Sequence, residues 1–184
     1  MKNRVRIVGG TWRSRLLRFP AAAGLRPTAD RIRETLFNWL GQTLDGLTCL
    51  DLFAGSGALG FEAASRGARA VTLVERDPRV FRALLESCRS LGAQQVEVLQ
   101  ADALAFLGSD ARCFDLVFLD PPYQSQLLPA VLGCLPPHLA AGARIYLEAA
   151  ELPEIPRHYN VLRQGRAGQA QCLLVQWRPD EHSP

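Results

Sequence analysis

Residues 47–60 read LTCLDLFAGSGALG, an apolar run broken by Asp51 and continued through glycines at 55, 57 and 60. The segment 47–53 has the composition of a buried strand, and ALG opens a helical pattern, so the glycines spell a GxGxxG turn between strand and helix. Gly55 and Gly57 let the chain turn tightly and leave no side chain between backbone and ligand, while Gly60 lets the helix pack on the strand. Such a turn belongs at the carboxyl edge of an open α/β sheet, where ligands bind.

The same alternation continues downstream. AVTLVER (70–76), QVEVLQ (95–100), FDLVFLD (114–120) and ARIYLEA (143–149) are strand candidates. The segments between them, ALGFEAASRG, DPRVFRALLESCRSLG, ALAFLGS and QLLPAVLGCL, are apolar at helical spacing, and two of them close on Gly. Near-continuous apolar strands separated by helices predict an α/β fold with a mostly parallel sheet covered on both faces. At the end, NVLRQ (160–164) and QCLLVQW (171–177) are joined by GRAGQA without a helix, which predicts an antiparallel hairpin. Upstream, PTADRIRETLFNWLG (27–41) reads as a helix, and VRIVGG and SRLLRF around Gly9–Gly10 read as a small hairpin. The chain thus divides into a basic arm, 1–26, and an α/β domain, 27–184, that work as one domain.

With 184 residues, 48% of them hydrophobic and 21% charged, the composition is that of a globular domain. The longest uncharged stretch, 121–143, carries five prolines, which rules it out as a membrane span. MKNRVRIVGG lacks an apolar run of signal-peptide length, so the expected location is the cytoplasm. The cysteines at 49, 88, 113, 134 and 172 include no CxxC pair, and His138, His158 and His182 have no ligand-like spacing, so no metal is expected. No heptad pattern stands out, and a monomer is the default.

Charge is distributed unevenly. Residues 1–33 carry nine cations against Asp30, a net of +8, while the remaining chain is −5. Twenty of the 21 cations are arginine, the side chain that grips phosphate bidentately and stacks on bases. Arg4, Arg6, Arg13, Arg15, Arg18, Arg26 and Arg31 are therefore candidate nucleic-acid contacts.

Acids follow three consecutive strands: Asp51, Glu75 and Asp102. Glu75 is placed to accept ribose hydroxyls, and Asp102 to read an adenine amine. Asp51 stands inside the glycine turn facing the ligand, where a carboxylate repels a pyrophosphate but suits an ammonium group. S-adenosylmethionine, a sulfonium cation with an ammonium, a ribose, an adenine and no phosphate, fits this pocket. The fourth strand ends in Asp120-Pro121-Pro122-Tyr123. This rigid turn aims carbonyl oxygens outward beside an aromatic face, a constellation suited to the exocyclic amine of a nucleobase. Hydrogen bonds from the amine to the Asp120 carboxylate and the Pro121 carbonyl free the nitrogen lone pair for attack on a methyl group, and Tyr123 stacks on the base. Guanine N2, adenine N6 and cytosine N4, in RNA or DNA, all present such an amine. Two other classes compete: an NAD-dependent oxidoreductase using the same GxGxxG, and a non-catalytic RNA-binding assembly factor.

DLFAGSGALG, VERD and DPPY together resemble the Rossmann-like S-adenosylmethionine-dependent amino-methyltransferases. RPTADRIRETLFNWL and RIVGGTWRSRLL resemble one family of these, the bacterial 16S ribosomal RNA guanine-N2 methyltransferases called RsmD, and the likeness runs from about Arg6 to Trp177. The resemblance implies a seven-stranded class I methyltransferase whose last strand is antiparallel. It implies methylation of a guanine N2 in 16S rRNA within the small ribosomal subunit or its assembly intermediate. By position, it implies that Asp51, Gly55, Gly57, Glu75, Asp102 and Asp120 hold S-adenosylmethionine, and that Asp120, Pro121 and Tyr123 hold the base. Ser14 departs from the family, standing where a WRGR-like turn has Gly.

Overall fold

The computed structural model describes residues 2–20, 30–122, 127–167 and 170–178. In chain order its elements are β1 (Lys2–Arg6), β2 (Leu16–Pro20), α1 (Asp30–Leu40), β3 (Thr48–Asp51), α2 (Ala58–Ser65), β4 (Ala70–Glu75), α3 (Pro78–Leu91) and β5 (Val96–Gln100). There follow α4 (Ala103–Ser109), β6 (Phe114–Leu119), α5 (Leu127–Cys134), a 3-10 turn (Pro136–His138), β7 (Leu139–Ala149), β8 (Tyr159–Ala167) and β9 (Ala170–Trp177).

Strands β3 to β9 form one seven-stranded sheet in the order β5-β4-β3-β6-β7-β9-β8. The first five pair in parallel, while β9 inserts between β7 and β8 and runs antiparallel to both. This is the expected seven-stranded sheet with an antiparallel last strand. Because side chains alternate across a strand, neighbouring residues enter different cores. Cys49, Leu116, Phe118, Tyr146, Cys172 and Leu174 pack under α1 and α2. Leu50, Val117, Leu119, Leu147, Leu173 and Val175 pack under α4 and α5.

The candidates for β3 to β6 and for β9 match to within two residues, whereas β7 begins at Leu139 rather than at residue 143 and β8 runs on to Ala167 rather than ending at residue 164. Its register against β6 jumps between Phe114 and Leu116, and Gly142 sits at φ 74° in the extra segment. Residues 139–142 carry no strand signal in the sequence reading, and pairing with the neighbouring β6 makes them the bulged start of β7.

The amino-terminal hairpin is present, but Gly9–Gly10 is not a two-residue turn. β1 and β2 pair through Arg4↔Arg18 and Val5↔Leu17, leaving nine residues, 7–15, in the connection. These residues are shaped by α2. The Glu62 carboxylate accepts hydrogen bonds from the Val8 and Gly9 amides at 2.8 and 2.7 Å. The Ser65 hydroxyl donates to the Gly9 carbonyl, and the Ser65 carbonyl accepts from the Thr11 amide. Gly10 has φ 72°, and a Cβ there would overlap the Ser65 carbonyl. Ser14, the position where the family pattern predicts Gly, has φ 70°, the single positive value at a non-glycine among the described residues. The turn therefore keeps the left-handed conformation without the residue that adopts it most readily. Val5, Ile7, Leu17 and Phe19 are buried in the same core as α1 and the sheet.

Glu62 is itself 0% exposed, and so is Arg33 of α1. Arg33 approaches Glu62 at 3.4 Å and Asp30 at 2.6 Å, while Arg66 meets Glu62 at 2.9 Å and lies over the Phe37 ring. Arg33, one of the amino-terminal cations, is thus a core residue. Removing the charge of Glu62 leaves the buried Arg66 guanidinium without a counter-charge and Arg33 with Asp30 alone, and losing one partner of a buried pair costs about 3–5 kcal/mol. Glu62→Gln is expected to lower unfolding free energy by that order and to accelerate hydrogen exchange at the Val8 and Gly9 amides. Denaturant titration with amide exchange measures both, and wild-type stability in the variant would contradict the role given to this cluster.

Candidate active site

Four neighbouring strands deliver acids to one edge of the sheet. Asp51 closes β3, Glu75 closes β4, Asp102 follows β5 and Asp120 follows β6. β3 lies between β4 and β6, with Asp51 opposite Leu73 on one side and Phe118 on the other. The glycine turn and the Asp120-Pro121 turn consequently emerge side by side.

Glu75 is half-buried and organises the turn through both oxygens, Oε2 accepting from the Gly55 amide at 3.0 Å and Oε1 from the Asp77 amide at 2.7 Å. A carboxylate has about four acceptor positions, so capacity remains for two hydroxyls. Asp102 is exposed and caps α4 through Oδ1, which accepts from the Leu104 and Ala105 amides. Gly57 sits at φ 76°, and a Cβ there would strike Phe61 and Leu84.

Asp51 differs from its expected orientation. Its side chain is 2% exposed and lies beneath the turn, where Oδ2 accepts from the Gly60 amide at 3.0 Å. Helix α2 begins at Ala58 without a side-chain cap of its own, and this carboxylate, nine residues upstream of Gly60, occupies the place of one. Burial pushes the Asp51 pKa up to about 7, the Gly60 hydrogen bond opposes the rise, and the charge of Glu75 adds to it. With an acid already at the helix N-terminus, a ligand phosphate is disfavoured there and a cationic, phosphate-free ligand fits. The residues present therefore suit S-adenosylmethionine better than a dinucleotide.

Asp120 is half-buried, Pro121 buried and Pro122 exposed. Tyr123 and Arg26 lie outside the described residues. Arg4, Arg6, Arg13, Arg15 and Arg18 are all exposed on the hairpin, and Arg15 donates to the Ser90 carbonyl at 2.9 Å. Arg4 and Arg18 face each other directly across the two strands, with Leu16, 45% exposed, opposite Arg6. Like charges placed opposite one another destabilise a strand pair, and a polyanion relieves the repulsion. Arg31 stands elsewhere, at a cavity of about 310 Å³ between α1 and strands β7–β9, with Trp39, Tyr146, Arg166 and Cys172 also in its walls.

The sequence reading missed Glu62 and the buried polar group Tyr146–Glu148–Cys172. For Glu62 a signal existed: it is the one charge in the otherwise apolar ALGFEAAS, a helix buried on every side. Glu148 had no such signal, since IYLEA reads as an ordinary strand end.

The sheet order, the glycine turn and the row of acids define a Rossmann-like class I methyltransferase fold. Within that class the chain belongs to the family described as Conserved hypothetical protein 95, which matches residues 5–176. It is 42% identical to Ribosomal RNA small subunit methyltransferase D of Escherichia coli K12, over 94% of this chain and 89% of that protein. It is 40% identical to the Haemophilus influenzae protein of the same name, over 95% of each chain. Among solved structures, yhhF from Escherichia coli, provisionally assigned as a methyltransferase, superposes with a TM-score of 0.87 at 40% identity, covering 97% of this chain and all of that one.

The state of Asp51 makes a prediction. A pKa raised in the folded protein means that folding favours the protonated acid. The associated stability is present below the ordinary carboxylate range and is lost as pH rises through about 7. A cationic ligand favours the ionised form, so affinity for S-adenosylmethionine should rise by up to about tenfold from pH 6 to pH 8. Asp51→Asn should flatten that profile. Calorimetric titration across this range measures it, and equal slopes in the two proteins would contradict the assignment.

Proposed function

We propose that this protein transfers a methyl group from S-adenosylmethionine to the exocyclic N2 of a guanine in 16S ribosomal RNA. It is a small-subunit ribosomal RNA methyltransferase, and S-adenosylmethionine is its methyl donor. When bound, the donor supplies an electrophilic methyl on a sulfonium. The reading rests on one observation above others: Asp120-Pro121 emerges from β6 directly beside the glycine turn of β3, in a chain with this family membership.

The chain's own residues account for the remaining requirements. Glu75 supports the ribose, Asp102 the adenine, and Asp51 with Gly55 and Gly57 shapes the turn beneath the cationic end. An aromatic amine is a poor nucleophile because its lone pair is delocalised into the ring. The Asp120 carboxylate and the Pro121 carbonyl accept hydrogen bonds from its two N–H groups, draw the nitrogen toward tetrahedral geometry and hold the lone pair in line with the methyl; as the N–C bond forms and the methyl–sulfur bond breaks, one N–H proton is released to solvent. Tyr123 stacks on the base, an interaction worth about 1–3 kcal/mol that offsets part of the cost of unstacking it. No metal enters this scheme.

The basic arm, residues 1–26, serves as the RNA-facing part of the methyltransferase domain 27–184, with Arg4, Arg6, Arg13, Arg15, Arg18 and Arg26 toward phosphates and Arg31 at the α1 cavity. The enzyme acts as a monomer in the cytoplasm, on the small subunit or an assembly intermediate. Its substrate supports this location, since ribosomal RNA is assembled there.

Two measurements test the reading. Methyl-labelled donor with small subunits from cells lacking the protein should place label in N2-methylguanosine, while Asp120→Ala lowers turnover about a thousandfold or more and keeps the thermal shift produced by the donor. Label in adenine or cytosine, or an active Asp120→Ala enzyme, would overturn it. For the arm, replacing Arg4 and Arg18 by Gln should reduce the slope of log affinity for RNA against log salt by roughly 0.7–0.9 per arginine. An unchanged slope would remove the hairpin from the interface. Substitution is the informative change here, because deleting the hairpin would also remove Val5, Ile7, Leu17 and Phe19 from the core.

A further inference from the structure

Asp120 does not stand alone on its face of the sheet. β6 and β7 pair in parallel up to Leu119↔Leu147, so Asp120 and Glu148 are the next residues of adjacent strands and continue the face that carries Phe118 and Tyr146. On the far side of Glu148, β9 places Cys172 opposite it. The Asp120 charge contributes to the raised pKa of the Cys172 thiol, about 11 and due mainly to burial, so its field spans the strand between them.

Glu148 is 5% exposed. The Tyr146 hydroxyl donates to its Oε2 at 2.9 Å and lies 3.3 Å from Cys172 Sγ. Among the described hydrogen bonds Glu148 accepts this one, at Oε2, and Oε1 is not one of the buried atoms without a partner, so an entering donor can reach it. Burial holds the carboxyl above its ordinary range, against the Tyr146 hydrogen bond that lowers it. A largely buried carboxylate with acceptor capacity that a donor can reach makes a stronger hydrogen bond there than it would in water.

We propose that Glu148 is a specificity-determining residue that accepts the N1–H of the target guanine, beside the Asp120 carboxylate and Pro121 carbonyl that accept its N2 amine. The assignment rests on the guanine-N2 reading above and deepens it. Guanine presents its amine next to a ring N–H, so two neighbouring acceptors on the protein match two neighbouring donors on the base. Adenine and cytosine present an amine next to a bare ring-nitrogen lone pair. A carboxylate at that place repels them and leaves its own acceptor unmet, which is how a polar site rejects an isostere. The Asp120 turn activates any conjugated amine, whereas Glu148 selects the one flanked by a proton.

2-Aminopurine separates the two functions, because it keeps the amine on the same carbon but carries a lone pair at N1. Small subunits are reconstituted with 16S rRNA bearing guanine or 2-aminopurine at the position the enzyme methylates, and kcat/KM is measured on each. The wild-type enzyme should prefer guanine by about a hundredfold or more. Glu148→Gln, whose amide can donate to the N1 lone pair, should compress that preference to less than about tenfold. Cys172→Ala, which disturbs the same buried group without removing the acceptor, should keep it. A wild-type preference near one overturns the proposal whether or not any variant folds. An uncompressed preference in a Glu148→Gln enzyme that retains its donor-induced thermal shift overturns it too, as does equal compression in Cys172→Ala. Failure of the underlying reading is distinguishable, since wild-type enzyme would then place no label on guanine N2 at all.

Discussion

The Glu62 carboxylate is the contact on which the amino-terminal half of the molecule depends. It sits in a helix that is buried all round, where an ionised acid is stable only if its acceptor positions are met. Two backbone amides of the hairpin connection and two arginines, one from α1 and one from the end of α2, meet them. These partners come from three pieces of chain, so one side chain fixes the relative positions of hairpin, leading helix and the helix of the glycine turn. The hairpin's apolar residues then complete a core that the seven-stranded sheet alone would leave open.

The active-site edge uses carboxylates in two distinct ways. Glu75 and Asp102 lie near the surface with backbone amides already bound and acceptor capacity to spare. Asp51 and Glu148 are buried, and their charge is disfavoured by their surroundings. The first kind suits hydroxyls and amines that arrive already solvated. The second kind suits a donor or a cation that enters dry surroundings, where each hydrogen bond is stronger than in water. Both kinds occupy one edge because a parallel sheet ends all its strands at the same level.

Much of this was legible in the sequence, and the reasons are local. Period and composition locate strands such as FDLVFLD, and GxGxxG with DPPY marks the two turns that matter. What escaped depends on contacts distant in the chain. The bulged start of β7 exists because β6 lies beside it. Arg33 reads as one more cation of a basic segment until Glu62, 29 residues away, claims it. Asp51 stands in the glycine turn as its position implies, but the unmet amides of α2 draw its side chain beneath the turn. Glu148 becomes distinctive only when register puts it next to Asp120.

The Gly9–Gly10 connection has a consequence for how such proteins diversify. Its shape is complementary to Glu62, Ser65 and Arg66, with no room for a Cβ at either glycine. A graft of residues 2–20 onto another methyltransferase would transfer the arginines without the socket that orients them. Drift in the hairpin and drift in α2 are therefore coupled, and the two segments are expected to change together or not at all. The exposed Arg4, Arg6, Arg13 and Arg18 lie outside that socket, so they can vary singly without disturbing it.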